Sequence, residues 1–366
     1  MINLHELKAM NTSLIKYECA HHEKQPLSFP STLLLSPSQK CNFRCRTCMQ
    51  RHTGEELPPE TLKKIEAILP YVSLVDFVGG EPLLLDSFDR VIDWGAKYGC
   101  KLETVTNGVL LNERWRERIV ENMTNIRVSV DGATPKTYEY VRRYPNLKKV
   151  LSNIAKLALL KVQRDSPTPL IELNFVAMRA NIKELPALTV MAADLGVQAI
   201  RVIYMVAHNE ELAKQSLYFC QEQSDAYMTK AIAMGQEVGV RVQVPGLFRD
   251  AGKAAQGGHQ NYCVGPWHFL GVEHNGDAKI CCGGAPHFGN LNTMSFREFW
   301  SNKKLRNLRR VINTPNQPLY CKNCHHGGHN LKSWGKHITR KADYKAAAAA
   351  LGVAEPIEES AHATAI

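Results

Sequence analysis

A parallel α/β sheet with crossover helices, followed by a small cysteine-rich region, is the architecture this sequence predicts. Three observations carry it. Six short apolar strand candidates alternate with helical sequence between Thr32 and Pro245. Polar and glycine-rich segments fall where those strands end. Beyond Pro245-Gly246 the alternation stops, and Gly, His and Cys become frequent. Such alternation packs as βαβ units, open or closed as a barrel, with the chemistry at the carboxyl ends of the strands.

Taken in order, residues 33–35 form the first strand candidate and run directly into Cys41, Cys45 and Cys48. Leu62, Ile65 and Leu69 share one face of a helix punctuated by prolines. Residues 73–78 read as a buried strand ending at Gly79-Gly80, and a helix is expected over 87–98. A strand at 101–106, a helix at 113–122 and a strand at 126–130 follow. The series closes with a helix at 147–161, a strand at 171–176, a helix at 182–195 and a strand at 199–204. Four polar segments therefore gather at one rim: the cysteine loop, Gly79-Gly80-Glu81-Pro82, Thr106-Asn107-Gly108 and Ser129-Val130-Asp131-Gly132.

Composition excludes several classes. With 44% hydrophobic and 22% charged residues the chain can bury a substantial core and is not disordered. No run of about 18 apolar residues occurs, which excludes an ordinary membrane-spanning helix. Residues 1–30 lack a basic start followed by an apolar core, so no secretory signal is expected and the chain reads as cytoplasmic. The excess of 45 Lys and Arg over 35 Asp and Glu permits an anionic ligand but demands none. The basic run Lys303, Lys304, Arg306, Arg309 and Arg310, interleaved with Leu305 and Leu308, is expected to be a solvated helix face. A polyanion site is its alternative. No aromatic-interleaved basic stripe or known nucleic-acid module appears, so nucleic acid is not an expected partner, and an RNA-associated metal protein is the remote alternative.

In a reducing cytosol, clustered thiols mean metal binding or catalysis rather than disulfides. Of eleven cysteines, seven fall into two groups, Cys41, Cys45, Cys48 and Cys263, Cys281, Cys321, Cys324. Three thiolates on one tight loop can wrap one metal centre. A zinc site would require a fourth ligand, which His52 could provide. A 4Fe–4S cluster held by three cysteines leaves one iron open to a small molecule.

The triplet Cys41-Asn-Phe-Arg-Cys45-Arg-Thr-Cys48, with the three further rim segments in the same order, resembles the radical S-adenosylmethionine (SAM) enzymes across residues 33–204. The resemblance implies a partial (β/α)6 barrel, TIM-like but incomplete, and an open iron that chelates the amino and carboxylate groups of SAM. It further implies that Gly79, Gly80 and Glu81 contact the methionyl amino group, with Thr106 and Asn107 on the same cofactor-binding rim. Ser129 and Asp131 match positions near the ribose and methionyl moiety. Arg142, with Arg143 as close rival, matches a carboxylate-binding arginine. The backbone around Phe43 and Val202 would face the adenine. The residue before the third cysteine is usually aromatic in the family but is Thr47 here.

On ligand type alone, the second cysteine group suits zinc and a fully ligated 4Fe–4S cluster equally. Its surroundings are Cys263-Val-Gly-Pro266-Trp267, Asn275-Gly276-Asp277, Cys281-Cys282, Gly289-Asn290-Leu291 and Cys321-x-x-Cys324. They resemble a SPASM or twitch extension, and four ligands imply the shorter twitch form with one auxiliary cluster. Asn275-Gly276 suits a hairpin turn, and Ser295 with Glu298 marks a capping box. His325, His326 and His329 are expected in a polar loop, and 345–351 as an alanine-rich helix before a disordered end. The expected division is an N-terminal extension (1–30), a core barrel (31–245), an auxiliary-cluster domain (246–335) and a tail (336–366).

The resemblance implies two 4Fe–4S clusters, SAM, and an electron donor such as flavodoxin or ferredoxin. It also implies hydrogen abstraction from a small-molecule or peptide substrate by a 5′-deoxyadenosyl radical. Oxidation of a sugar, aminocyclitol or peptide, with the auxiliary cluster as electron acceptor, is the favoured outcome. The alternative is an epimerase with Cys282 as hydrogen donor, although Cys282 also reads as a small buried residue beside the cluster. Residues 204–248 are expected to line the pocket.

Overall fold

Ten strands form one sheet in the computed structural model, which describes residues 2–143, 146–250, 263–282 and 285–322. They are β1 (Thr32–Ser36), β2 (Leu74–Phe77), β3 (Lys101–Thr106), β4 (Asn125–Ser129), β5 (Leu170–Ala177), β6 (Ala199–Tyr204), β7 (Arg241–Gln243), β8 (Phe269–Glu273), β9 (Asp277–Lys279) and β10 (Gly289–Asn290). The spatial order is β10-β9-β8-β1-β2-β3-β4-β5-β6-β7. Strands β1 to β7 pair in parallel, so the six strands expected from the sequence are present and β7 extends them. The sheet is open, with β10 and β7 at its edges.

The helices before β8 are α1 (Leu4–Ala20), α2 (Pro59–Glu66), α3 (Asp86–Tyr98), α4 (Glu113–Asn122), α5 (Pro135–Arg142), α6 (Leu147–Gln163), α7 (Leu185–Asp194), α8 (Glu210–Ala213) and α9 (Gln221–Val238). Each crossover helix buries one stripe, as Phe88, Val91, Ile92 and Trp94 do on α3. That stripe meets alternate strand residues, among them Leu33, Leu35, Val75, Phe77, Ile126, Val128, Leu173 and Phe175, in a single core. Leu69, expected on the α2 face, lies in the 3-10 turn that follows and is also buried.

Two features lie outside the sequence expectations. Residues 4–20 form α1, opened by a reciprocal Asn3–Glu6 capping box. Its buried Asn11 side chain bonds the Phe29 backbone in both directions and donates to Tyr71 O, replacing three solvent contacts of the chain that follows. Second, β8 pairs in parallel with β1 from Thr32↔Phe269 to Ser36↔Glu273, so the cysteine-rich region continues the sheet of the barrel. The His268 ring spans the hydroxyls of Ser31 (2.7 Å) and Thr32 (3.0 Å) at that seam.

Beyond β8 the expected hairpin forms, with Gly276 at φ 84 between β8 and β9. The Ser295–Glu298 capping box opens a helix over Phe296–Trp300, as expected. It completes the series α10 (Gly265–His268), α11 (Phe296–Trp300), α12 (Lys303–Val311) and α13 (Leu319–Lys322). The basic run requires a correction at Arg309, which is fully buried rather than solvated. Its guanidinium donates to the carbonyls of Pro266 (2.9 Å), Trp300 (2.6 Å) and Lys24 (3.3 Å), and lies over the Trp300 ring. A helix with Leu305 and Leu308 inward also turns position 309 inward, and two buried carbonyls and the partly buried carbonyl of Lys24 supply partners there. Among the described residues no helix is long and apolar enough to cross a membrane. Cys324, His325, His326, His329 and the expected helix over 345–351 lie outside the described residues.

Candidate radical and auxiliary cluster sites

The rim at the carboxyl ends of β1 to β4 is assembled by close backbone approach. After β1, the cysteine loop is held by Ser38, whose hydroxyl donates to Glu55 O and accepts from Lys40 N. Gly79 and Gly80 pack directly against it: Gly80 N donates to Ser38 O, and Glu81 N to Lys40 O. A Cβ on Gly80 would stand 1.9 Å from Lys40 O, and Gly79 adopts φ +104. Both glycines are thus required by contact and conformation, beyond what a simple turn needs.

Glu81 enters the interior from this turn and is 1% exposed. Its carboxylate accepts from Thr106 Oγ1 (2.5 Å), Asn107 N (2.8 Å) and Leu83 N (3.3 Å). The Asn107 side chain in turn donates to Asn42 in the cysteine loop at 2.8 Å. Three sequence segments therefore meet through one buried acid. Burial pushes the Glu81 carboxyl up to about 7, against the pull of these donors.

The fourth segment joins from β4. Asp131 Oδ1 accepts from Val176 N, and Oδ2 lies 2.6 Å from Arg142 Nε at the end of α5. The same guanidinium donates through Nη1 to Cys45 Sγ at 3.6 Å. Burial disfavours the Arg142 charge, but Asp131 and Cys45 outweigh it and hold the group protonated. Arg143, the rival position, is in the left-handed region at φ 59 and lines the cleft outside. Ser129 is 7% exposed, Phe43 5% and Val202 3%. The Val202 side chain belongs to the hydrophobic core.

The loop itself is pinned from the other side. Arg46 donates through its backbone to Val141 O and through Nε to Tyr140 O, stacks on the Tyr140 ring and pairs with Glu211. A cleft of ≈ 270 Å³ opens there, lined by Arg44, Cys45, Cys48, His52, Arg143 and His208 among others. Cys41 and Cys48 each accept an amide N–H, from Phe43 and Gln50 respectively, at 3.4 Å. Burial pushes the Cys41 thiol up to about 11, so a bare thiolate is disfavoured and a cationic partner is needed to hold it.

These donors fit a 4Fe–4S cluster: three thiols, two with amide donors and one with a guanidinium, on one loop beside a polar rim. Among the described residues no three His, Cys, Asp or Glu side chains gather around a single metal ion. A cluster makes no such demand, because each thiolate takes a different iron.

The auxiliary thiols flank β8 and β9. Gly265 lies between Cys263 and Cys281, its Cβ position 3.5 Å from Cys263 Sγ and 3.9 Å from Cys281 Cβ. Burial pushes the Tyr320 hydroxyl up, and Cys321 and Cys281, both near it, push the same way. Sequence reasoning missed Asn313, whose side chain accepts from Cys263 N (2.8 Å) and donates to Cys263 O (3.0 Å). Its left-handed φ of 62 was the only signal available, and it appears only in the folded chain. Cys282 is exposed, which corrects the expectation of a small buried residue.

Comparison with known proteins agrees with this geometry. A family model described as the Radical SAM superfamily matches residues 35–169, and one described as an iron-sulfur cluster-binding domain matches residues 263–325. A probable GTP 3',8-cyclase of Methanocaldococcus jannaschii is 28% identical over 189 residues, covering 50% of this chain and 61% of that protein. An S-adenosylmethionine-dependent nucleotide dehydratase of Selenomonas ruminantium is 30% identical over 175 residues, covering 46% and 63%. The chain thus spans less than two thirds of the length of these relatives. Among solved structures, Streptococcus suis SuiB bound to precursor peptide SuiA superposes with a TM-score of 0.64 at 16% identity, covering 92% of this chain and 76% of that one. This likeness concerns the fold alone. A radical SAM domain binds SAM and a 4Fe–4S cluster, and a SPASM domain binds auxiliary clusters. Residues 35–169 thus form a domain of the radical SAM superfamily, and residues 263–325 a SPASM-type iron–sulfur cluster-binding domain.

Proposed function

We propose that the chain oxidises a polar substrate, using Cys41, Cys45 and Cys48 to hold the SAM-binding cluster and Cys263, Cys281, Cys321 and Cys324 to hold one auxiliary cluster. When bound, the first pair of cofactors supplies a 5′-deoxyadenosyl radical that takes a hydrogen atom from a C–H bond, and the auxiliary cluster supplies an electron acceptor. The observation that carries this reading is the in-register pairing of β1 with β8. One strand leads into the first cysteine loop, the other lies between Cys263 and Cys281, and the two thiol groups therefore flank one strand pair.

The chain's own residues divide the remaining work. Glu81, fixed by Thr106 and Asn107, offers a carboxylate to the methionyl ammonium. Arg142, held by Asp131 and reaching Cys45, places a guanidinium beside the cluster for the carboxylate. Gly79 and Gly80 let the backbone come close enough to form that corner, with Ser129 and the backbone at Phe43 and Val202 around the nucleoside. The division is the one the sequence indicates: 1–30, 31–245, 246–335 and 336–366. An acidic one-electron donor such as flavodoxin or ferredoxin suits the cationic cleft of Arg44, Arg46 and Arg143 beside Cys45 and Cys48.

The substrate class is bracketed by the relatives, whose names specify GTP and nucleotides, and by SuiB, bound to a precursor peptide. The second reading, epimerisation, rests on Cys282, exposed and adjacent to Cys281. Reaction in deuterated water separates the two. Oxidation is expected to leave no solvent deuterium at the attacked carbon, with Cys282→Ala still forming product. One deuterium at that carbon, lost in Cys282→Ala while 5′-deoxyadenosine still appears, would establish epimerisation instead.

A further inference from the structure

The face of the sheet away from the crossover helices carries a band of polar side chains across β2 to β6. Along β5 and β6, Ile171, Leu173, Phe175, Ile200 and Val202 belong to the helix-packed core. Side chains alternate across a strand, so Glu172, Asn174 and Arg201 stand on the opposite face, as do Asp76, Glu103 and Arg127 on β2 to β4. Part of this face is self-paired. Arg127 reaches Asp76 at 2.5 Å and Glu103 at 3.5 Å, and Arg241 reaches Glu172 at 3.3 Å. These pairs form a floor of ionic contacts across the middle strands.

One row nearer the rim, the pairing register sets Ser129 beside Asn174 and Asn174 beside Arg201. Ser129 is two residues before Asp131, so this row lies at the depth of the cofactor rim. Arg201 is exposed although β6 is flanked by β5 and β7. Asn174 Oδ1 is shielded from solvent and has no hydrogen-bond partner. Below it, Arg127 Nε is likewise shielded and has no hydrogen-bond partner, in a residue only 6% exposed. A buried acceptor without a donor carries an uncompensated desolvation cost, which a ligand hydroxyl or amine would relieve.

We propose that Arg201 and Asn174 form the substrate's polar anchor: Arg201 binds an oxyanion, phosphate or carboxylate, and Asn174 Oδ1 accepts from a neighbouring hydroxyl or amine of the same molecule. This rests on the radical SAM reading of the rim, and it narrows the substrate to an oxyanion-bearing molecule with an adjacent hydrogen-bond donor. Phosphorylated sugars, nucleotides and amino-acid termini meet that requirement; a neutral apolar substrate does not. SAM also carries a carboxylate, so the cofactor is the competing source of the same chemistry.

The test uses reconstituted full-length protein saturated with SAM and titrated with inorganic phosphate, followed by phosphorus NMR. Wild type is expected to bind phosphate saturably, and Arg201→Gln to weaken it by about tenfold or more, the loss of one charge-assisted contact. Arg201→Lys keeps the charge and is expected to stay within roughly threefold. SAM affinity is measured on the same samples and is expected to be unchanged in Arg201→Gln. No saturable phosphate binding, or equal binding by Arg201→Gln, overturns the proposal. A parallel fall in SAM affinity overturns it too, by assigning the oxyanion to the cofactor. Failure of the radical SAM reading shows separately, as absence of iron and of 5′-deoxyadenosine.

Discussion

The rim around Cys41, Cys45 and Cys48 and the region around Cys263, Cys281 and Cys321 both gather thiols, but they are held together differently. At the rim, consecutive short segments meet through backbone contacts and one buried acid: Gly80 against Lys40, and Glu81 receiving Thr106 and Asn107. In the auxiliary region, isolated side chains from distant segments do the holding. Arg309 ties α12 to the Pro266, Trp300 and Lys24 carbonyls, Trp267 donates to Glu23 O, and Trp300 donates to Ser28 O. A site made by local backbone geometry leaves motifs. A site made by long-range packing leaves only single residues whose meaning depends on the fold.

The sharpest way to break the rim is Gly80→Ala. Its methyl would meet a backbone carbonyl that cannot swing aside, so a loss of about 3 kcal/mol in docking the cysteine loop is expected. Reconstituted variant should lose most of the first cluster's iron and its SAM binding, while the auxiliary iron remains. Wild-type iron content in this variant would show that the glycine serves only as a turn.

The corresponding break in the auxiliary region is Arg309→Ala, which strands the buried carbonyls of Pro266 and Trp300. A fall of about 2–3 kcal/mol in stability by denaturant titration is expected, with the first cluster still assembled in protein that folds. A change below 0.5 kcal/mol, about the level of an ordinary surface substitution, would mean that Arg309 is not the pin between the N-terminal segment and α12.

A smaller effect sharpens the contrast at Glu81. Burial raises its carboxyl from 4.5 to about 7. In the absence of cofactor, this raised value favours the folded state most below 4.5, and that contribution is lost as pH rises through about 7. Binding of the methionyl ammonium has the opposite sign, because it needs the carboxylate. SAM affinity should therefore fall by about tenfold from pH 8 to pH 6, and Glu81→Gln should bind weakly with little pH dependence. An affinity flat in pH for wild type would remove Glu81 from the ammonium's site.

This difference also explains what the sequence disclosed. The six strands and four rim segments were legible because period-two apolar runs and glycine-rich strand ends are local signals, and the structure brings those segments together. The β1–β8 pairing was not, since Phe269 to Glu273 reads as an ordinary short strand and its partner lies more than two hundred residues earlier. Arg309 was misread because charge pattern marks a helix surface only where no carbonyls wait beneath it. Helix α1 went unseen because its buried residues include Asn11 and Glu18, which satisfy backbone groups of the chain that follows and blur the apolar stripe. Arg201 and Asn174 carry no motif, and their position follows only from strand register.

The most direct test of the account is anaerobic reconstitution of wild type and of the Cys41→Ala, Cys45→Ala, Cys48→Ala triple variant, each then reduced in the presence of SAM. Wild type should bind about eight irons per chain and release 5′-deoxyadenosine, whereas the variant should keep about four, in the auxiliary cluster, and release none. Stoichiometric zinc with negligible iron in wild type, or 5′-deoxyadenosine from the triple variant, would contradict it.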